Sequence, residues 1–237
     1  MKSRDQGFGI WMRGFGSLIG AGCLVALGCS LAVARGAERK AENPRIIVRV
    51  HDYAGVSRDI LNRAEREMAK IFAAVEVETI WVDGPLAGVK PSQCTLSPQA
   101  VDLPIIDVNI LPGAMAARYA LQEAAVAYAP LEKEGDRASL ASVFYERVKE
   151  VAAQAAMPLP RILAYAMAHE LGHLLLRTSR HSWKGIMRAG WTPKDFSLDA
   201  CGQLLFTPEQ AKLIRKEVRE RAQEQAAEKA ATVIASK

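Results

Sequence analysis

The sequence contains few of the residues that usually bind transition metals, with only four cysteines and four histidines among 237 residues. No two cysteines have the C-x-x-C spacing that is typical of a metal site, so we assign no cysteine to a metal. The chain also lacks internal repeats and any sign of a second domain. About 200 residues follow the first segment described below, enough for one domain with a sizeable core.

The chain has little net charge once residues 1–37 are set aside. The whole sequence carries +5, and these residues contribute +3 from four basic and one acidic side chain, which leaves +2 for the remainder. The pI of about 9.1 therefore comes mostly from the first segment. The basic excess does not indicate a nucleic-acid partner.

Residues 1–37 have the layout of an export signal. Basic residues precede an apolar run from about Phe15 to Ala34, and Ala32 and Ala34 offer an A-x-A cleavage pattern. The run is also close to the roughly 20 residues that span a bilayer, so an uncleaved N-terminal membrane anchor is the alternative. We expect an exported protein, periplasmic or secreted, that is either released or held by this anchor.

Two cysteines, Cys94 and Cys201, remain outside the apolar run. In an exported protein a pair of cysteines suggests one disulfide, which here would tie an irregular loop to the segment after residue 191. Buried free thiols or an intermolecular bridge are the alternatives.

The next segment predicts a strand, a helix and a second strand. Residues 45–55 and 75–83 are rich in alternating β-branched residues, while residues 57–74 have helical apolar spacing with Ser57 as the N-cap. A unit of this length predicts a right-handed crossover and a parallel pair of strands. We interpret His51, on the first strand, as a structural or surface residue.

The remaining pattern predicts three more strand segments and three helices. Residues 84–103 have no periodicity and indicate a long irregular loop. Thr207 and Gln210 have the spacing of a capping box, and Leu213, Ile214 and Val218 would dock the helix that follows. The predicted segments are a strand at 103–112, a short strand at 123–130, a strand end running into a helix at 142–156, a helix beginning near Pro160, and a last helix reaching about Ala231.

Three of the four histidines lie between Pro160 and Trp191. His169 and His173 are four residues apart in an apolar pattern that predicts a buried helix, so both imidazoles lie on one face with Glu170 beside them. A single histidine on such a helix is usually a hydrogen-bonded core residue. Two histidines and a carboxylate buried together without a metal would carry a large desolvation cost, whereas a zinc ion satisfies them. The H-E-x-x-H pattern therefore predicts zinc.

The third ligand decides the class of site, because catalytic zinc usually has three protein ligands and one open position. His181 is the nearest candidate and lies past the end of the helix. It precedes a glycine-containing segment, GIMRAGW (185–191). The alternative is an acidic ligand of the gluzincin type, for which Asp195, Asp199 and Glu209 are available.

At these residues the sequence resembles the metzincin class of zinc metallopeptidases, whose motif is H-E-x-x-H-x-x-G-x-x-H followed by a turn that contains methionine. The family has glycine at position 176 and histidine at 179, where this chain has Leu176 and Ser179. His181 can therefore serve only if two extra residues are looped out, and a residue at 177–179 must turn the chain without glycine. The stretch HELGHLLL…HS…GIMRA…W is also similar to a group of exported bacterial proteins. The residues that match the metzincin motif are His169, Glu170, His173, the downstream His181 and Met187.

The resemblance implies an α+β fold, a metzincin-like single domain over residues 38–237. It would have a mixed twisted sheet, a zinc-site helix, a methionine turn and a C-terminal helix and tail at 207–237. His169, His173 and His181 would hold Zn²⁺, and Met187 would pack below the site.

The implied activity is peptide-bond hydrolysis by a metal-activated water, with Glu170 as general base. The partner would be a peptide or protein substrate that pairs with the strand at 123–130, and we expect a monomer. The competing hypotheses are a gluzincin-type peptidase and an exported zinc-bound pseudoenzyme or interaction module.

Overall fold

A computed structural model of the chain describes residues 42–84, 103–115, 126–131, 134–192, 195 and 204–235. The predicted targeting segment, Cys94 and Cys201, and all but the ends of the predicted loop at 84–103 lie outside these ranges. Export and the disulfide therefore stay predictions. Among the described helices, none combines the length and the apolar character needed to cross a membrane.

The described residues form one mixed α+β domain, which confirms the predicted fold class. The strands are β1 (Arg45–Asp52), β2 (Glu78–Asp83), β3 (Ile105–Leu111), β4 (Ala127–Tyr128) and β5 (Leu140–Phe144). The helices are α1 (Arg58–Ala73), α2 (Tyr145–Gln154), α3 (Leu159–Leu176) and α4 (Pro208–Ala235).

The strands form a single sheet in the order β2-β1-β3-β5-β4. Strands β2, β1, β3 and β5 run parallel to one another. Strand β4, at the edge of the sheet, is antiparallel to β5. The parallel pairing of β1 with β2 confirms the prediction made from the strand-helix-strand pattern.

The core lies between the sheet and the helices. Ile46, Val48 and Val50 alternate along β1 and are buried on one face, as period-two spacing requires. Helix α3 contacts α1, α2, α4 and β5, and every residue from Ile162 to Leu175 is buried. A helix that is apolar on all sides belongs in a core, so the polar side chains between Ile162 and Leu175 are held away from bulk water.

The first two strands along the chain are shorter than predicted, for local reasons. Strand β1 ends at Asp52 because the Asp52 carboxylate accepts hydrogen bonds from the amides of Ala54 (3.1 Å) and Val56 (2.8 Å), which starts a turn. Residues 75–77 are not strand. A turn at residues 74–76 has Glu76 at a positive φ of 58°, although Val75 and Val77 on either side of it are buried.

Helix α4 begins with the predicted capping box and extends to Ala235. The amide of Gln210 donates to Thr207 Oγ1 (3.3 Å), and the amide of Thr207 donates to Gln210 Oε1 (2.9 Å). Ile214 and Val218 are fully buried as predicted. The docking of Leu213 was wrong, because that side chain is 55% exposed. Leu213 and Ile214 point about 100° apart, and Leu213 lies on the solvent side of the helix.

Candidate metal centre

Helix α3 places His169, Glu170 and His173 in the core, and all three are buried. The helix includes Leu176 and ends at Arg177, which adopts the left-handed conformation with φ 54° and ψ 40°. One of residues 177–179 was expected to turn the chain without glycine, and Arg177 does so. This conformation costs a residue with a Cβ atom roughly 1–2 kcal/mol.

The turn returns the chain to α3 and brings His181 beside the two helical histidines. One ligand nitrogen from each of His169, His173 and His181 lies within 4.8 Å of the others, so the group can hold a metal ion. The ring centroids form a nearly regular triangle with sides of 4.7, 5.2 and 4.9 Å. His181 is exposed, so the cluster has one open side.

Backbone carbonyls fix the tautomers of the two helical histidines. His169 Nδ1 lies 2.7 Å from the carbonyl oxygen of Ile186, and His173 Nδ1 lies 2.7 Å from that of Thr178. A carbonyl can only accept, so each Nδ1 carries the proton and each neutral ring has its lone pair on Nε2. The two Nε2 atoms are 3.0 Å apart. Two lone pairs at this distance repel each other unless a cation binds both, which makes this donor set fit a metal.

The three imidazoles are neutral at pH 7. Burial lowers the pKa of His169 to about 4, and it outweighs the opposing effect of the hydrogen bond to Ile186. Burial also lowers the pKa values of His173 and His181. Neutral imidazole is the form that binds a metal ion.

Glu170 is the carboxylate of the site and follows His169 on α3. Burial raises its pKa to about 8, so without a nearby positive charge the group is protonated at neutral pH. A cation on the neighbouring histidines would favour the carboxylate and lower this pKa.

Backbone hydrogen bonds fix the conformation of the segment after His181. The amide of Ser182 donates to the carbonyl of Met187 (2.7 Å), and the amide of Ile186 donates to the carbonyl of Leu205 (3.0 Å). Gly185 has a φ of +73°, and a Cβ atom there would lie 2.5 Å from the Leu205 oxygen. Only glycine fits this turn without strain.

Trp191 and Met187 brace α3 from two directions. The indole nitrogen of Trp191 donates to the carbonyl of Ile186 (3.2 Å), the same oxygen that binds His169, and the Trp191 and His169 rings are 5.6 Å apart. Met187 is buried against Gly172, the helical residue that precedes His173. Met187 is thus a packing residue beneath the helix.

Of the three acidic residues considered as alternative third ligands, the structure describes Asp195 and Glu209. Neither belongs to the histidine group. The Asp195 carboxylate binds the amide (2.7 Å) and hydroxyl (2.8 Å) of Thr192 and pairs with Arg188. Glu209 lies in the first turn of α4. Asp199 lies outside the described residues. His51 Nε2 contacts Asp107 Oδ1 at 2.8 Å, so His51 has a structural partner.

Sequence reasoning missed the residues that orient the histidines. Ile186 and Thr178 act through backbone carbonyls, which every residue has, so no side-chain pattern reveals them. Glu217 and Arg221 of α4 are also buried near the end of α3. The sequence could have indicated the burial of Glu217 and Arg221, because they lie three or four residues from Ile214 or Val218 and so share their helical face.

No family model matches the chain, and no curated protein matches its sequence. Among solved structures, the chain is similar to the crystal structure of a zinc-dependent peptidase from Methanocorpusculum labreanum (strain Z). The match has 12% identity and a TM-score of 0.44, and it covers 70% of this chain and 99% of that chain. Similarity at this level carries no argument about chemistry.

Proposed function

We propose that this protein is a zinc-dependent peptidase of metzincin-like architecture. One observation carries the proposal, the convergence of three neutral imidazoles in which the Nε2 atoms of His169 and His173 lie 3.0 Å apart. The carbonyls of Ile186 and Thr178 hold the protons on the opposite nitrogens, so the lone pairs point toward a common position.

The donor set favours zinc in a catalytic site. Three imidazole nitrogens suit zinc, and a catalytic zinc site has three protein ligands with the fourth position open. His169, His173 and His181 would hold the ion, and the exposed side at His181 would admit substrate. Zinc bound there supplies a Lewis acid that polarises water and a peptide carbonyl.

Glu170 would move the protons of the reaction. Its carboxylate would accept a proton from the attacking water and return it to the nitrogen of the leaving amine. A site that only stabilises the fold has no need of a buried carboxylate beside three histidines. Retention of Glu170 therefore favours an enzyme over a zinc-bound interaction module.

The substrate would be a peptide in extended conformation. Strand β4 lies at one edge of the sheet and contacts α3. A peptide that paired along this edge would therefore pass close to the histidines. We keep the sequence-based expectations of an exported monomer that binds no nucleic acid as part of this proposal.

Zinc content and hydrolysis of a mixed peptide library, measured for the wild type and Glu170→Gln, test the proposal. We expect zinc in both proteins and cleavage by the wild type only. Zinc without cleavage in the wild type would favour the interaction module, and a wild type that binds no zinc would exclude the metal site.

A further inference from the structure

The turn after α3 sets the surroundings of two of the three histidines. The amides of Arg177 and Thr178 both donate to the carbonyl of His173, which ends the helix. The Thr178 carbonyl then accepts the hydrogen bond from His173 Nδ1 at 2.7 Å. His181 follows three residues later, so a displaced turn would move the partner of His173 and the third histidine together.

Arg221 of α4 holds the end of α3 from outside. One terminal nitrogen donates to the carbonyl of Leu174 (2.9 Å), and the other donates to the carbonyl of Ala138 (3.0 Å). Carbonyls in the last turn of a helix have no helical amide to bind. Arg221 therefore satisfies the carbonyl of the residue that follows His173, and its side chain is only 8% exposed.

Glu217, one turn earlier on α4, is the buried carboxylate that balances three arginines. Its Oε1 accepts from Arg221 Nε (2.9 Å) and from Arg137 Nε (2.9 Å), and its Oε2 lies 3.9 Å from Arg177. The Arg177 side chain also donates to the carbonyl of Gly135 (2.6 Å). The strained residue of the turn is thus held by its own guanidinium.

We propose that Glu217 and Arg221 are positioning residues for the metal site. They fix the last turn of α3 and the left-handed residue Arg177, and so hold the Thr178 carbonyl on His173 and return His181 to the cluster. This inference rests on the proposed zinc site. Groups that orient metal ligands without touching the ion typically change metal affinity by about 10–100-fold, so loss of either residue should weaken zinc binding at least about tenfold.

The test compares the full chain with Glu217→Gln, Arg221→Lys and the control Glu220→Gln. Glu220 lies on the same helix and also contacts Arg137 (3.2 Å), but it is more exposed, and the structure gives it no contact with Arg177 or Arg221. Arg221→Lys keeps the charge beside Glu217 and loses the forked donors that reach two carbonyls. It serves as the milder variant if Glu217→Gln does not fold.

Zinc affinity is measured by competition with a chromophoric chelator, at a temperature where circular dichroism shows each protein folded. The absorption spectrum of the cobalt(II)-substituted protein reports ligand geometry, which a loss of global stability alone would not change. We expect at least about tenfold weaker zinc binding and a shifted cobalt spectrum in the two test variants. Glu220→Gln should match the wild type.

Wild-type affinity and spectrum in folded Glu217→Gln or Arg221→Lys would overturn the positioning role. An equal loss in Glu220→Gln would also overturn it, because a general charge effect would then explain the result. A wild-type chain that binds no zinc would instead overturn the zinc site itself, and this inference with it. The readout is metal binding, so the test does not depend on hydrolysis.

Discussion

Gly172 and Met187 pack so closely that a Cβ atom at position 172 would lie 2.3 Å from Met187 Sδ and 2.8 Å from a ring carbon of Phe206. Gly172 lies between the two helical histidines in sequence. The thioether therefore occupies space that any other residue at this position of α3 would need.

Gly172→Ala should lower the stability of the protein. Overpacking a core costs about 1–3 kcal/mol, while alanine in place of glycine in a helix recovers up to about 1 kcal/mol, so we expect a net loss of about 1 kcal/mol. Thermal unfolding checks this, with Gly190→Ala as the control, because a Cβ atom at position 190 meets nothing within 4 Å. Equal stability of the two variants would show that Met187 moves aside freely.

Asp107→Asn should destabilise the protein in a pH-dependent way. Burial raises the pKa of Asp107, but hydrogen bonds and charges from Arg49 and His51 outweigh burial and lower the pKa below its usual value of 3.8. The ionised group therefore adds stability above about pH 4, which is lost as the pH falls through the lowered pKa. Urea unfolding at pH 7 and pH 3 should show a difference between wild type and variant that shrinks at pH 3.

The matched control for this prediction is Asp59→Asn, an exposed carboxylate that pairs with Arg63 on the surface of α1. Such surface pairs contribute little, so the variant should follow the wild type at both pH values. A difference for Asp107→Asn that stays constant with pH would contradict the assigned cause of its pKa shift.

Glu170→Gln should retain zinc and lose hydrolysis, because Glu170 is proposed to move protons and not to bind the ion. General acid–base groups contribute about 10²–10⁴-fold, so turnover should fall by at least about 100-fold. Glu150→Gln, an exposed change of the same chemistry on α2, is the control for peptidase assays. Undiminished turnover in Glu170→Gln would mean that another group is the base.

Local patterns predicted the elements of the fold better than their arrangement. The period-two and helical patterns at 45–83 predicted β1, α1, β2 and the parallel pair, because each repeat reports one buried face. The position of β3 between β1 and β5 depends on contacts between distant segments, which no local pattern contains. Leu213 was wrongly placed because an apolar residue beside a buried face resembles a buried one.

In the candidate site too, local patterns were predicted from the sequence and long-range contacts were not. The motif predicted which three histidines converge, because helical spacing fixes two of them and chain length allows the third. The sequence also indicated a strained turn at 177–179, but the choice of Arg177 depends on contacts with Gly135 and Glu217. These partners lie about 40 residues away in either direction along the chain.

The most direct test of the metal centre is the zinc content of purified wild-type, His181→Ala and Asp195→Ala proteins. We predict one zinc ion per chain in the wild type, sharply weakened binding in His181→Ala, and retained zinc in Asp195→Ala, whose carboxylate is bound to Thr192 and Arg188 in the structure. If His181→Ala keeps its zinc and Asp195→Ala loses it, the third ligand is acidic and the three-histidine site is wrong.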